Sequence, residues 1–123
     1  MPASHRLPVT ERDAASVLDV LGDEYARAII EALSERPMSA NELTETLDMS
    51  QPTISRRLGT LEDTDLIAET TRLDPNGHHY SVYRVTLERA TITVDDGTFA
   101  VRLTGQESPS DRMSYIWKEM RGP

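Results

Sequence analysis

The stretch that most limits how this chain can fold is Ser39 to Leu61, where two short apolar stripes flank Asp48-Met49-Ser50. Upstream, Leu43 and Leu47 stand four residues apart. Downstream, Ile54, Leu58 and Leu61 recur at helical spacing. Ser39 opens the first stretch with Glu42 three residues on, a capping-box pattern. Ser50 opens the second, and Pro52 falls in its first turn, where a missing N–H costs nothing. Two helices this short, joined by three residues, bury their stripes only by crossing, so a helix-turn-helix layout is predicted. The 123 residues fit one domain around it.

The flanking sequence supplies the rest of an α+β domain. Residues 1–9 contain two prolines and no periodicity and read as a flexible arm. Thr10 caps a helix over "ERDAASVLDVL", whose Ala14, Val17, Leu18 and Leu21 share one face, and Gly22 ends it. Asp23 opens a second helix with a stripe of Tyr25, Ile29, Ala32 and Leu33, and Pro37 stops it. Beyond residue 66, two β-rich runs flank Asp74-Pro75-Asn76-Gly77, a strong hairpin turn. A second hairpin is expected around Asp96-Gly97. Its alternation of Ile92 and Val94 with Thr91 and Thr93 predicts half-buried strands. Residues 106–123 read as a linker and a terminal helix with Met113, Ile116, Trp117 and Met120 on one face. The expected domain is therefore a winged helix-turn-helix over residues 10–105. The stripe at Ala14 to Leu21 and the terminal helix either fold back on that domain or form a dimer interface. The dimer is favoured, because Trp and Met are enriched at interfaces.

The outward face of the helix after Ser50 carries the chemistry. At 100° per residue Thr53, Arg56 and Thr60 point away from the buried stripe, with Gln51 and Ser55 beside them. Gln at such a place can pair with adenine, and Arg with guanine O6 and N7. Ser50 and the free N–H groups around it suit a phosphate, and Ser39 is a further DNA-contact candidate. Arg57, on the flank, suits the phosphate backbone. In the first hairpin Arg72, Asn76, His78, His79 and Arg84 are the candidates for a wing resting on the backbone or minor groove. The net charge of −8 argues against a nucleic-acid partner only if it is spread evenly. It is not: from Ser50 to Leu61 there is no acid and a charge of +2.

"MSANELTETLDMSQPTISRRLGTLEDTDLIAET", followed by a hairpin, resembles the ArsR-type winged helix-turn-helix regulators. The second hairpin, "ITVDDGTFAVRL", is similar to haloarchaeal versions of them. The resemblance covers residues 15–105 and is most specific over 39–67. It implies double-stranded DNA as partner and a homodimer on a near-palindromic operator. The metal-sensing branch of that family carries a cysteine motif on a helix, and this chain has no cysteine, so metal sensing is not expected.

Other classes find little support. Without cysteine there is no disulfide, thiolate metal site or thiol switch. No run of 18 apolar residues and no secretory leader is present, so no membrane partner and a cytoplasmic location are expected. No Ser-His-Asp arrangement, Gly-rich phosphate loop or carboxylate pair suggests an enzyme. His78 and His79 are strand neighbours aimed at opposite faces and cannot chelate together. Lys118 is the one lysine beside 12 arginines, and acids are spread along the chain. That composition suits molar salt, where the Debye length is about 3 Å. No cofactor is expected, apart from K+ or other monovalent or halide ions taken up at high salt. The competing functions are a winged helix that docks proteins and a ligand- or metal-responsive sensor.

Overall fold

A computed structural model describes residues 6–8 and 11–105, with side chains from Ala14 onward. Four helices precede two hairpins: α1 (Glu11–Leu21), α2 (Glu24–Glu35), α3 (Ala40–Leu47) and α4 (Gln51–Asp63). The strands are β1 (Arg6–Pro8), β2 (Ile67–Leu73), β3 (His79–Val85), β4 (Leu87–Asp95) and β5 (Thr98–Gly105). The α+β winged helix-turn-helix architecture read from the sequence is present. Residues 6–8 differ from the expected arm: they pair antiparallel with β5, giving the sheet order β1-β5-β4. The linker and dimerisation helix expected over 106–123, with Met113, Ile116, Trp117 and Met120, lie outside the described residues.

The helices form where their caps and stripes predict. Asp23 caps α2 by accepting from Ala26 N at 2.8 Å. Ser39 and Glu42 make the capping box of α3, with Ser39 N donating to Glu42 Oε1 at 2.9 Å. The core collects Ile29, Leu43, Ile54, Leu61 and Leu66, none of them exposed. Burying each such side chain is worth about 1.5–3 kcal/mol against leaving it in water. Tyr25 departs from its expected inward place. It is 43% exposed, and Ala26 takes the core position instead.

The stripe expected at a dimer interface is largely consumed within the chain. Ala14 and Val17 are each 2% exposed and belong to the core, where α1 packs on β5. Leu18 and Leu21 are half-buried against the same core. The assignment of Ala14 and Val17 to an interface is therefore corrected. The second hairpin supplies the apolar surface that they cover.

The two hairpins turn differently. In the first, Gly77 N donates to Asp74 O at 2.9 Å, and the Asp74 carboxylate accepts from Asn76 N and His78 N, both at 2.9 Å. Gly77 has φ of 86°, the left-handed place after a type I turn. In the second, Asp96 and Gly97 both have positive φ, 54° and 77°, as a two-residue type I′ turn requires. The strands of this hairpin are not half-buried throughout, as alternation predicted. Ile92 and Val94 are 51% and 66% exposed. Alternation identifies a face but not whether anything covers it.

The wing is tied to the body at two places. Met38 and Tyr83 exchange backbone hydrogen bonds of 3.0 and 2.8 Å, joining the α2–α3 turn to β3. Leu66 O, just past α4, accepts from both Thr86 N and Leu87 N at 3.1 and 3.3 Å. Opposite that splice, a Cβ on Gly105 would lie 1.9 Å from Thr86 O, so only glycine fits there.

Candidate nucleic-acid interface

The interface begins at the turn between α3 and α4. Asp48 leaves α3 in the left-handed conformation, φ 56°, and its N–H closes the last turn on Thr44 O at 3.1 Å. Met49 is half-buried, and Ser50 caps α4. Ile54, Leu58 and Leu61 are buried beneath α4, which fixes the direction of its other face. Gln51, Ser55, Arg56 and Thr60 are exposed, and Thr53 is half-buried. Local bonds steady this face: Ser50 Oγ donates to Thr53 Oγ1 at 2.9 Å, and Thr60 Oγ1 donates to the Arg56 carbonyl at 3.1 Å. The hydroxyl of Ser39, a DNA-contact candidate, is engaged in the α3 cap, where it accepts from Glu42 N at 3.2 Å.

Arg56 and Arg57 part company here. Arg56 is exposed and lines an open cleft of about 190 Å³ with Asp19, Asp23 and Thr60. Arg57 is held: its Nε donates to Asp23 Oδ2 at 2.8 Å and its Nη2 to Asp23 Oδ1 at 3.2 Å. Its guanidinium also lies 5.3 Å from the centre of the Tyr25 ring, a cation–π distance. Arg57, expected on the phosphate backbone, is thus an inter-helix brace with two of its donors spent. Asp23 does two jobs, capping α2 and gripping α4. The Arg57 guanidinium, ahead of the Ala26 N–H, holds the Asp23 carboxyl below the usual carboxylate range. In turn Asp23 raises Arg57. The cap was legible in the sequence. The grip was not, because its partner lies 34 residues away.

The wing presents Arg72, Asn76, His78 and His79 to solvent. His78 Nδ1 stands 3.7 Å from Asp74 Oδ2. Arg84 departs from the other wing candidates: it is half-buried, opposite Ala68 at the base of the hairpin. Where α4 exits toward the wing, burial and then the neighbouring Glu69 push the Glu62 carboxyl up. Glu69 in turn accepts from Ser81 Oγ. Among the described residues no three His, Cys, Asp or Glu side chains converge to hold a metal, and no helix is long and apolar enough to cross a membrane.

Comparison with known proteins places these elements. A helix-turn-helix domain family matches residues 21–70, from the end of α1 into β2. The arsenical resistance operon repressor of Staphylococcus aureus is 32% identical over 77 residues, 63% of this chain and 72% of that protein. Its namesake from Staphylococcus xylosus is 34% identical over 71 residues, 58% of this chain and 66% of that protein. With a buried stripe fixing α4, an exposed Arg56 on its free face and a hairpin wing beside it, the chain belongs to the family of the arsenical resistance operon repressors, a DNA-binding helix-turn-helix transcription regulator.

Proposed function

We propose that the protein acts as a homodimer on a near-palindromic operator, each α4 entering the major groove of duplex DNA. The observation that carries this is the face of α4: exposed Gln51, Ser55, Arg56 and Thr60, with no acid from Ser50 to Leu61 in a chain of charge −8. Arg56 reads guanine and Gln51 reads adenine. Arg72, Asn76, His78 and His79 of the wing rest on the backbone or minor groove. The protein needs no cofactor and catalyses nothing.

With no cysteine in these 123 residues, a thiolate arsenic site cannot form. An oxidative signal would have to act on methionine or reach the protein indirectly. The acidic, arginine-based surface is an adaptation to high salt in the cytoplasm. Fluorescence anisotropy with genomic duplex fragments in KCl tests the reading. Binding to a discrete operator by the wild type supports it, and no preference for any fragment overturns it. Repeating the titration across KCl concentrations tests the salt adaptation. An affinity that is flat or rises supports it, and a steep fall, with a log–log slope near −0.9 per neutralised phosphate, refutes it.

A further inference from the structure

We infer that the far half of the second hairpin is a docking surface for the C-terminal segment of a second copy of this chain. The inference rests on the homodimer reading above. In an antiparallel pair, residues directly opposite share a face. Ala90 stands opposite Leu103, Ile92 opposite Val101 and Val94 opposite Phe99, so one apolar face runs up the hairpin. Its near end is core: Val101 and Leu103 are 2% and 3% exposed. Its far end is bare, with Phe99 56% exposed beside Ile92 and Val94. Every residue from Thr91 to Gly97 is exposed, so both faces of the hairpin stand clear of its own globule there. A free two-stranded hairpin is marginal in water, and a strip of large apolar side chains at its end marks an interface.

The sequence supplies the occupant. The chain continues for 18 residues past Gly105, and Met113, Ile116, Trp117 and Met120 recur there at spacings of three and four. Arg112, Lys118 and Arg121 offset Glu107, Asp111 and Glu119 in that segment, so it can approach the Asp95–Asp96 tip without the net repulsion that the acidic rest of the chain would meet. Gly105 is at the hairpin base, and Phe99 is six residues up the strand, about 20 Å away. Exchanged about a two-fold axis, each contact is made twice. Phe99 and Trp117 bury roughly 150–250 Å² each. With five smaller apolar side chains per protomer, the total approaches the roughly 800 Å² per partner of a stable dimer. One segment folded onto its own strip would leave no such interface.

Analytical ultracentrifugation of the full chain tests this. A monomeric wild type at tens of micromolar overturns the homodimer reading and the docking surface with it. If the wild type is a dimer, Phe99→Ser and Trp117→Ala should each raise its dissociation constant roughly a hundredfold. Phe99 is already exposed, so the first variant keeps its fold, and circular dichroism checks this. An unchanged constant in a folded Phe99→Ser protein overturns the hairpin assignment and leaves the dimer standing. Because the chain lacks cysteine, Val94→Cys and Met120→Cys chains can be mixed under oxidation. A disulfide-linked heterodimer supports the exchange. A Val94→Cys/Met120→Cys double variant that closes only within its own chain overturns it.

Discussion

Arg56 and Arg57 sit side by side on one helix with the same charge, and the two edges of α4 that they mark serve different ends. At the Arg57 edge the guanidinium is met by a carboxylate that already caps another helix, so its charge is spent inside the molecule. At the Arg56 edge the side chain is exposed beside an open cleft, and among the described residues no carboxylate pairs with it. An arginine doublet is therefore not twice a DNA-binding signal. One member braces α4 against α2, and the other is left on the face proposed to meet DNA.

The largest expected effect tests the reading edge. Arg56→Ala should cost about 1–3 kcal/mol of operator binding per half-site, and the thermal midpoint should hardly move. Anisotropy and circular dichroism on one preparation separate the two. A folded variant with wild-type affinity would erase the contrast between the edges.

Next comes the bracing edge. Asp23→Ala removes both the α2 cap and the anchor of Arg57, and should cost about 1–3 kcal/mol of stability in denaturant titration. Arg57→Ala leaves the cap in place and should cost less. Both should lose operator affinity mainly through the position of α4, so an operator affinity as damaged as that of Arg56→Ala would blur the distinction.

The same edge has a signature in acid. The folded pKa of Asp23 lies below its unfolded value, so its contribution is present above the unfolded carboxylate pKa. That contribution is lost as pH falls through the folded one. Glu42 behaves alike, lowered first by the Ser39 N–H and then by Arg36. Asp23→Asn should therefore flatten part of the fall in stability below about pH 4. A variant whose stability follows pH as the wild type's does would remove Asp23 from the account.

The smallest effect lies where α4 leaves for the wing. Glu62 is shifted the other way, so its contribution is present below the unfolded pKa and fades as pH rises through the folded one. Glu62→Gln should raise stability at pH 7 by less than about 1 kcal/mol, with the gain vanishing near pH 4. Thermal unfolding at the two pH values reads it directly.

What the sequence disclosed divides by range. Caps, stops and stripes depend on residues three or four apart, so Ser39 with Glu42, Ser50 with Pro52, and Ile54, Leu58 and Leu61 could be read without a structure. The turns at Gly77 and Gly97 were legible for the same reason. The brace between Asp23 and Arg57 and the pairing of residues 6–8 with β5 join distant parts of the chain, and no local pattern announces them. Burial was half legible. The face of Ala14 and Val17 was right and its covering was wrong, because β5 arrives from the other end of the domain. For Ile92 and Val94 the alternation was right and the covering absent.

The carbonyl of Leu66 links three elements at one atom. It lies three residues past the end of α4 and receives the amides of Thr86 and Leu87, where the wing ends and the second hairpin begins. Thr86 is the one residue between β3 and β4, and Gly105 closes against the same spot. The second hairpin is thus rooted by backbone hydrogen bonds at the exit of α4. The exposed hairpin tip and the helix proposed to face DNA are therefore built on one backbone splice.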